Sequence, residues 1–226
     1  TVADDRGWNA RVSGETQAWS RRPWSTNTFA TKEERETFIK EGWFQFPKEY
    51  EKYILADFSL DGADYEPGCQ LHAYDVETFN LTDSLGLCNF TNGFGRYSTV
   101  GNRARMAELV SSATGIDFDE AELTKSAKRQ TNLVRAYNRR LGLTEKDDIP
   151  PKIYFEQDPA PPHQRLTREV FKTWRDRYYE IMGWDKEGTP TKETLEKVGL
   201  GYVWEELKKR GIATEDKVLT GLSSER

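Results

Sequence analysis

The chain has 226 residues, with 33 Lys and Arg against 38 Asp and Glu, and a formal net charge of −5 at pH 7. Its 36% hydrophobic content is enough for a folded domain with a core. No stretch combines clustered basic residues with aromatics, and no apolar run approaches the roughly 20 residues of a membrane-spanning helix. We therefore expect neither nucleic acid binding nor a membrane span.

The first residues are polar and lack an initial Met. We therefore expect no signal peptide, a cytoplasmic location and a chain that is either processed or the tail of a longer protein. Residues 1–70 are predicted to be an irregular, aromatic-rich segment with short helices. Trp8, Trp19 and Trp24 follow no helical or strand period, which indicates irregular chain lying against an apolar surface. Arg21 and Arg22 could contact a phosphate or form a solvated pair.

Short helices are predicted in the later part of this segment. A capping box at Thr31–Glu34 predicts a helix that continues to Lys40. Pro47 is expected to begin a second helix that continues to Ile54. The Gly, Pro and Asp residues of positions 57–68 then predict a loop.

Residues 71–226 are predicted to form a helical domain, so the fold class is mainly α. Met106, Leu109, Val110 and Ala113 have helical spacing before Gly115. Asp117 or Asp119 is expected to cap the next helix. The inward stripe of that helix is predicted to be Leu123, Ala127, Gln130, Val134, Tyr137 and Leu141, ending at Gly142.

Five prolines predict an extended connection at residues 144–166. Thr167 should cap a helix that ends at Gly183, with its inward residues Val170, Phe171, Trp174, Tyr178 and Ile181 serving as core. Thr189 and Pro190 are predicted as N-cap and first residue of another helix, which ends at Gly199. A last helix is expected from about Tyr202 to Arg210.

Metal ligands are few. The chain has two cysteines, Cys69 and Cys88, and two histidines, His72 and His163, without a Cys-x-x-Cys or His-x-x-x-His pair. The chain is therefore not expected to enclose a metal site by itself, although it could contribute one ligand to a shared site. We interpret Cys69 as a small buried hydrophobic residue.

One segment concentrates possible chemistry, Asp83-Ser-Leu-Gly-Leu-Cys88 followed by Asn-Phe-Thr-Asn-Gly93. A Gly between two Leu residues allows close backbone approach to a ligand. Asp83 is an acceptor five residues before a Cys whose thiolate could bind iron. The alternative is a buried helix end with a small hydrophobic Cys.

This segment resembles the D-x-x-G-L-C element in the C-terminal domain of the aldehyde:ferredoxin oxidoreductase family. Two further segments are similar to family motifs, in the same order. Residues 135–148, which end in Gly-Leu-Thr-Glu-Lys-Asp-Asp, are similar to the family's helix that ends in Gly-x-x-x-Lys-Asp-Asp before prolines. Residues 178–191, which begin Tyr-Tyr-Glu-Ile-Met-Gly-Trp-Asp, are similar to its Tyr-Tyr-x-x-x-Gly-Trp-Asp segment.

The resemblance implies a function for the whole enzyme. It implies a C-terminal helical domain that binds a tungsten bis-pyranopterin (molybdenum is possible) and a [4Fe-4S] cluster. In that family Asp83 would bind a pterin through its carboxylate, Leu87 would contact the pterin through its backbone, and Cys88 would be the fourth cluster ligand. The upstream domains of the same enzyme would supply the other ligands.

Within the family, residues 7–24 and Cys69-Gln-Leu-His-Ala-Tyr-Asp75 most resemble the catalytic subunit of class II benzoyl-CoA reductase. The implied reaction is low-potential reduction of an aromatic acyl-CoA, with an iron–sulfur electron-transfer subunit or a ferredoxin as partner. The first alternative is oxidation of aldehydes to carboxylic acids. The second is a non-catalytic helical interaction domain.

Other polar residues have two interpretations each. His72 lies eleven residues before Asp83 and is a candidate proton donor, although a hydrogen-bonded His in a packed loop is the alternative. Asp147 and Asp148 could form a cation site. Alternatively, they hold the loop after a helix in place by hydrogen bonds.

Overall fold

The computed structural model describes residues 32–40, 47–56, 66–87, 103–150, 152–156 and 167–214. Within these ranges the fold is helical and has no β-strand, only an isolated bridge between Trp184 and Pro190. The mainly α fold class is confirmed. The helices are α1 (Lys32–Lys40), a 3-10 helix (Lys48–Tyr50) that leads into α2 (Glu51–Leu55), α3 (Glu66–Ser84), α4 (Arg103–Thr114), α5 (Glu120–Arg140), α6 (Ile153–Glu156), α7 (Arg168–Met182), α8 (Lys192–Lys197) and α9 (Gly201–Lys209).

Most of the predicted helix ends are confirmed. Asp119 caps α5 in a full capping box, in which the Glu122 amide donates to Asp119 Oδ1 at 2.8 Å. Thr167 caps α7 by accepting from the Val170 amide at 3.1 Å. Gly183 follows α7 with a left-handed φ of 70°. None of the described helices is both long enough and apolar enough to cross a bilayer.

Helix α3 corrects the predicted loop at residues 57–68. The helix begins at Glu66, and Pro67 and Gly68 lie in its first turn. Backbone N–H groups in the first turn have no acceptor within the helix, so the N–H that Pro67 lacks costs no hydrogen bond. Positions 57–65 lie outside the described residues. The division of the chain into 1–70 and 71–226 stays a prediction, and α3 continues unbroken across it.

The central position of α3 explains why no single apolar stripe marks it. It packs against α2, α5 and α7. In its first half, Ala73 joins a buried cluster with Tyr178, Tyr179 and Trp184. In its second half, Leu81 joins a different cluster with residues of α4 and α5. A helix that is buried on several faces has no amphipathic pattern.

The predicted stripe of α5 is correct in the first half of the helix and wrong in the second. Leu123 and Ala127 are buried, but Tyr137 is 50% and Leu141 59% exposed. The buried face of the second half includes Arg135 and Arg139 instead. An apolar pattern could not find this face because, apart from Ala136, its buried side chains are polar.

These buried polar groups form what we call the Arg135 cluster, which consists of Arg135, Asp148, Tyr179 and Gly188. The guanidinium of Arg135 donates to Asp148 Oδ1 at 3.0 Å, to Asp148 Oδ2 at 2.6 Å and to the Gly188 carbonyl at 2.7 Å. The Tyr179 hydroxyl also donates to Asp148. The cluster therefore joins α5, the loop after it, α7 and the turn before α8.

The hydrogen-bonded loop predicted at Asp147 and Asp148 is confirmed. Asp148 belongs to the Arg135 cluster, and Asp147 Oδ2 accepts from the Thr144 amide at 2.7 Å. Backbone and side-chain donation by Thr144 lowers the pKa of Asp147 below its ordinary value. Two of the three family-like segments thus have a structural role.

Two further predictions need correction. Helix α8 is capped by Thr191, whereas Thr189 lies in the preceding turn and donates its amide to Asp185 Oδ1 at 2.8 Å. The Asp185 carboxylate holds the turn, so α8 starts two residues later than predicted. The connection predicted at 144–166 contains the short helix α6.

Candidate functional site

The segment Asp83–Leu87 forms the C-terminal cap of α3. Gly86 has a φ of 69°, the left-handed conformation that glycine adopts most readily. The Gly86 amide donates to the Asp83 carbonyl at 3.1 Å, and the Leu87 amide donates to the Thr82 carbonyl at 3.0 Å. This pair of bonds defines a Schellman motif. We call residues 82–87 the α3 end turn.

Apolar contacts hold the α3 end turn against the core. Leu85 and Leu87 are partly buried and pack against the cluster that contains Leu81, Met106 and Leu123. A contact between the residue after the left-handed Gly and the last helical turns is typical of Schellman motifs. The two Leu residues thus have a structural function, whichever ligand the turn binds.

Asp83 differs from the rest of the turn because it does not contribute to the core. Its side chain is exposed, and the last turn of α3 contains no basic residue. The C-terminal end of a helix carries a partial negative charge, so an acidic residue there is unfavourable for the helix. The position suits an acceptor that serves a donor outside the helix.

Gly86 leaves the outer side of the turn open. Among the described residues, no atom would lie within 4 Å of a Cβ at this position, so none of their side chains covers the backbone. An exposed carboxylate and an open backbone, three residues apart on a rigid cap, fit the N–H donors and flat face of a pterin. Leu87, the residue predicted to contact it, continues directly into Cys88.

Cys88 itself lies outside the described residues. Cys69 is 7% exposed, and its thiol contacts the Trp174 carbonyl at 3.6 Å. Burial raises the pKa of the Cys69 thiol to about 12, which makes it a poor metal ligand at neutral pH. The interpretation of Cys69 as a small buried residue is confirmed. Within the described ranges, no group of three or more His, Cys, Asp and Glu side chains could hold a metal ion.

The structure does not bring His72 close to the α3 end turn. His72 and Asp83 both lie on α3, and their separation of eleven positions corresponds to about 16 Å along the helix axis. The His72 ring is partly buried and contacts the Tyr178 ring at 5.2 Å between centroids. Burial lowers the pKa of His72 well below its ordinary value, so the imidazole is neutral at pH 7.

Arg103 is a residue near this turn that sequence reasoning did not single out. It is 2% exposed and begins α4, and its guanidinium donates to Glu77, Thr78 and the Tyr74 carbonyl, all on α3. The sequence shows Glu77 and Arg103 only as two charged residues in separate segments. Because the sequence pattern does not predict α3, which contains Glu77, their pairing could not be predicted.

Comparison with known proteins defines the class to which this fold and turn belong. The family profile described as aldehyde ferredoxin oxidoreductase, domains 2 and 3, matches residues 17–200. The match covers more than half of the chain. The chain therefore belongs to the aldehyde ferredoxin oxidoreductase family.

Individual relatives agree with this class. The tungsten-containing aldehyde ferredoxin oxidoreductase of Pyrococcus furiosus is 34% identical over 123 residues, which are 53% of this chain and 19% of the relative. The WOR-like subunit of an aliphatic sulfonate oxidoreductase from the same organism is 29% identical over 71% of this chain and 26% of the relative. The chain thus spans about a fifth to a quarter of these curated relatives.

A solved structure matches over most of the chain. It is the active-site complex BamBC of benzoyl coenzyme A reductase with 1,5-dienoyl-CoA. The TM-score is 0.68 at 29% sequence identity, and the match covers 87% of this chain and 30% of that chain.

Proposed function

We propose that this chain is the C-terminal part of a tungsten bis-pyranopterin and [4Fe-4S] oxidoreductase that reduces an aromatic acyl-CoA. The observation that carries the proposal is the α3 end turn, which presents an exposed carboxylate and an uncovered backbone immediately before Cys88. When bound, the tungsten cofactor and the cluster would supply the electron transfer to the substrate.

The residues of this chain would hold and orient these groups. The Asp83 carboxylate would accept hydrogen bonds from pterin N–H donors, and the backbone near Leu87 would contact the pterin. The Cys88 thiolate would be one of four cluster ligands, with the other three from upstream domains. Because Cys88 directly follows Leu87 in the sequence, the pterin and the cluster would be held close to one another.

The aromatic acyl-CoA is proposed from the extent of similarity. The benzoyl-CoA reductase structure matches 87% of the chain at 29% identity, which supports this substrate. The tungsten-containing aldehyde ferredoxin oxidoreductase of P. furiosus, 34% identical over 53% of the chain, supports aldehyde oxidation as the second candidate. An iron–sulfur electron-transfer subunit or a ferredoxin would be the electron partner in either case.

The cysteines provide the test of the cluster. In the full-length enzyme purified without oxygen, Cys88→Ser should reduce the iron content and change or abolish the EPR signal of the reduced cluster. Cys69→Ser is the matched control, because that thiol is buried against Trp174. An unaltered signal in Cys88→Ser, or its loss in Cys69→Ser, would contradict the assignment.

Metal and substrate assays separate the alternatives. Tungsten and iron in the full-length enzyme are expected, whereas a non-catalytic interaction domain would contain neither. Reduction of an aromatic CoA thioester by a low-potential donor, with slow oxidation of small aldehydes, is the expected activity. The opposite result would assign aldehyde oxidation.

We propose that His72 donates a proton only after it has itself been protonated. Burial keeps its imidazole neutral at pH 7, so a proton must be delivered to it during turnover before it can donate. His72→Gln should then lower kcat more at low pH than at high pH, because the wild-type imidazole holds a donatable proton only as the pH falls. A pH profile equal to that of wild type would assign His72 a structural role, to which its contact with Tyr178 contributes.

A further inference from the structure

Arg103 is a buried charge with an unusually complete set of partners on one helix. Its Nη2 donates to the Tyr74 carbonyl at 3.0 Å, to Thr78 Oγ1 at 3.0 Å and to Glu77 Oε2 at 3.2 Å. The guanidinium also lies 4.0 Å from the centre of the Tyr74 ring. The first residue of α4 is thus fixed to the middle of α3.

Hydrogen bonds continue from this point along α3 to the α3 end turn. Thr78 Oγ1, which accepts from Arg103, donates to the Tyr74 carbonyl at 2.9 Å. Thr82 Oγ1 donates to the Thr78 carbonyl at 2.8 Å, and the Thr82 carbonyl accepts from the Leu87 amide. Thr82 is 1% exposed, so water does not compete for these bonds.

The buried pair of Arg103 and Glu77 is not explained by stability alone. Burial raises the pKa of Glu77, and the nearby Arg103 offsets part of that effect. Replacing a buried ion pair by neutral side chains of similar volume is often neutral or stabilising, because the cost of removing two charges from water disappears. The pair instead contributes directional hydrogen bonds that hold α4 against α3.

We propose that Arg103 is a positioning residue for the cofactor: it holds the last two turns of α3 so that Asp83 and Gly86 face the pterin. This inference rests on the proposed function of the α3 end turn. Arg103 acts through Thr78 and Thr82 and does not contact the cofactor itself.

The Arg135 cluster supplies a matched control. Arg135 and Asp148 are also a buried ion pair, with Arg135 0% exposed, and the bonds described above connect them to Tyr179 and Gly188. Residue burial and charge are therefore comparable, but the location is different. The double variants E77Q/R103M and R135M/D148N each remove one pair and keep approximate side-chain volume.

The experiment compares both double variants in the full-length enzyme. Hydrogen exchange is measured on a peptide that spans residues 81–87, together with the global unfolding midpoint and the EPR spectrum of the reduced cluster. We expect E77Q/R103M to accelerate exchange in this peptide about tenfold or more and to change the EPR line shape. R135M/D148N should lower the unfolding midpoint, because the Gly188 carbonyl loses the donor that Arg135 supplies. It should leave both other readouts unchanged.

Arg103→Lys is the second variant. Its ammonium keeps the charge but cannot reproduce the planar arrangement of bonds to Tyr74, Glu77 and Thr78, so it should give an intermediate acceleration. Unaltered exchange in E77Q/R103M and Arg103→Lys, or equal acceleration in R135M/D148N, would overturn the role of Arg103. Absence of tungsten and iron from the wild-type enzyme would instead overturn the proposed function, and the exchange data would still show whether Arg103 holds the turn.

Discussion

Asp83 lies where the backbone of α3 favours a cation. The last turn of the helix has no basic side chain, and the C-terminal end of the helix dipole is negative, so the carboxylate is in an unfavourable field. Gly86 is explained by helix termination, and Leu85 and Leu87 by apolar packing. The dipole of α3 gives the Asp83 carboxylate no stabilising role within the helix.

The corresponding prediction concerns Asp83→Asn. The substitution keeps the shape and removes the charge, so the free energy of unfolding should stay the same or rise by up to about 1 kcal/mol. Tungsten retention should fall, because a carboxylate accepts stronger hydrogen bonds than an amide. Urea unfolding and metal analysis of the same preparation check both effects. A destabilised variant with full tungsten content would contradict the prediction.

Residue-scale features differ in how far the sequence could predict them. The Gly and the spacing of Asp83-x-x-Gly86-Leu87 were visible, and the Schellman motif explains them locally. The distance between His72 and Asp83 could not be predicted, because both residues lie on α3 and the sequence pattern does not predict that helix. Arg103 could not be found either, since its partners lie on that same helix.

At the scale of elements, prediction succeeded where local chemistry decides. Asp119 and Thr167 cap their helices, and Gly115 and Gly183 follow helix ends, because capping depends on neighbours within a few residues. Prediction failed for the second half of α5, where most buried side chains are polar and where Arg135 and Arg139 bind groups about 50 residues away in sequence.

Two glycines give a test at this scale. Gly86 and Gly188 both have a left-handed φ, 69° and 75°, but a Cβ at Gly188 would clash with the guanidinium of Arg135 and lie 2.9 Å from Tyr179 Cζ. Gly86→Ala should cost about 1–2 kcal/mol of stability from backbone strain alone. Gly188→Ala should cost more than about 3 kcal/mol because the Arg135 cluster must also move. Equal unfolding midpoints would contradict this difference.

At the scale of the whole molecule, long-range polar contacts connect α3 with α7. Glu66 at the start of α3 accepts from Arg177 of α7 at 2.5 Å and 2.8 Å, and from Gln70 at 2.8 Å. The hydrogen bond from Arg177 lowers the pKa of Glu66 below its ordinary value. The family match also extends across these helices, since it covers residues 17–200.

The lowered pKa of Glu66 predicts an acid dependence of stability. A carboxylate with a depressed folded-state pKa stabilises the fold above its unfolded-state pKa, and this contribution disappears as the pH falls through the folded-state value. Because the pair is partly exposed, we expect a contribution of only about 0.2–1 kcal/mol at neutral pH. Glu66→Gln should therefore be less stable than wild type at pH 7 and equal to it near pH 2. A difference between the two that persists unchanged to pH 2 would contradict the assignment.

The burial of α3 has a consequence for how the enzyme is made. The pair of Glu66 and Arg177 spans 111 residues, and the contact of Cys69 with Trp174 spans 105. During synthesis α3 therefore leaves the ribosome long before α7, the helix that covers one of its faces. The first half of α3 can be covered only after α7 has been translated and has docked. A polypeptide truncated before α7 is consequently expected to leave this face of α3 exposed and to retain less tungsten.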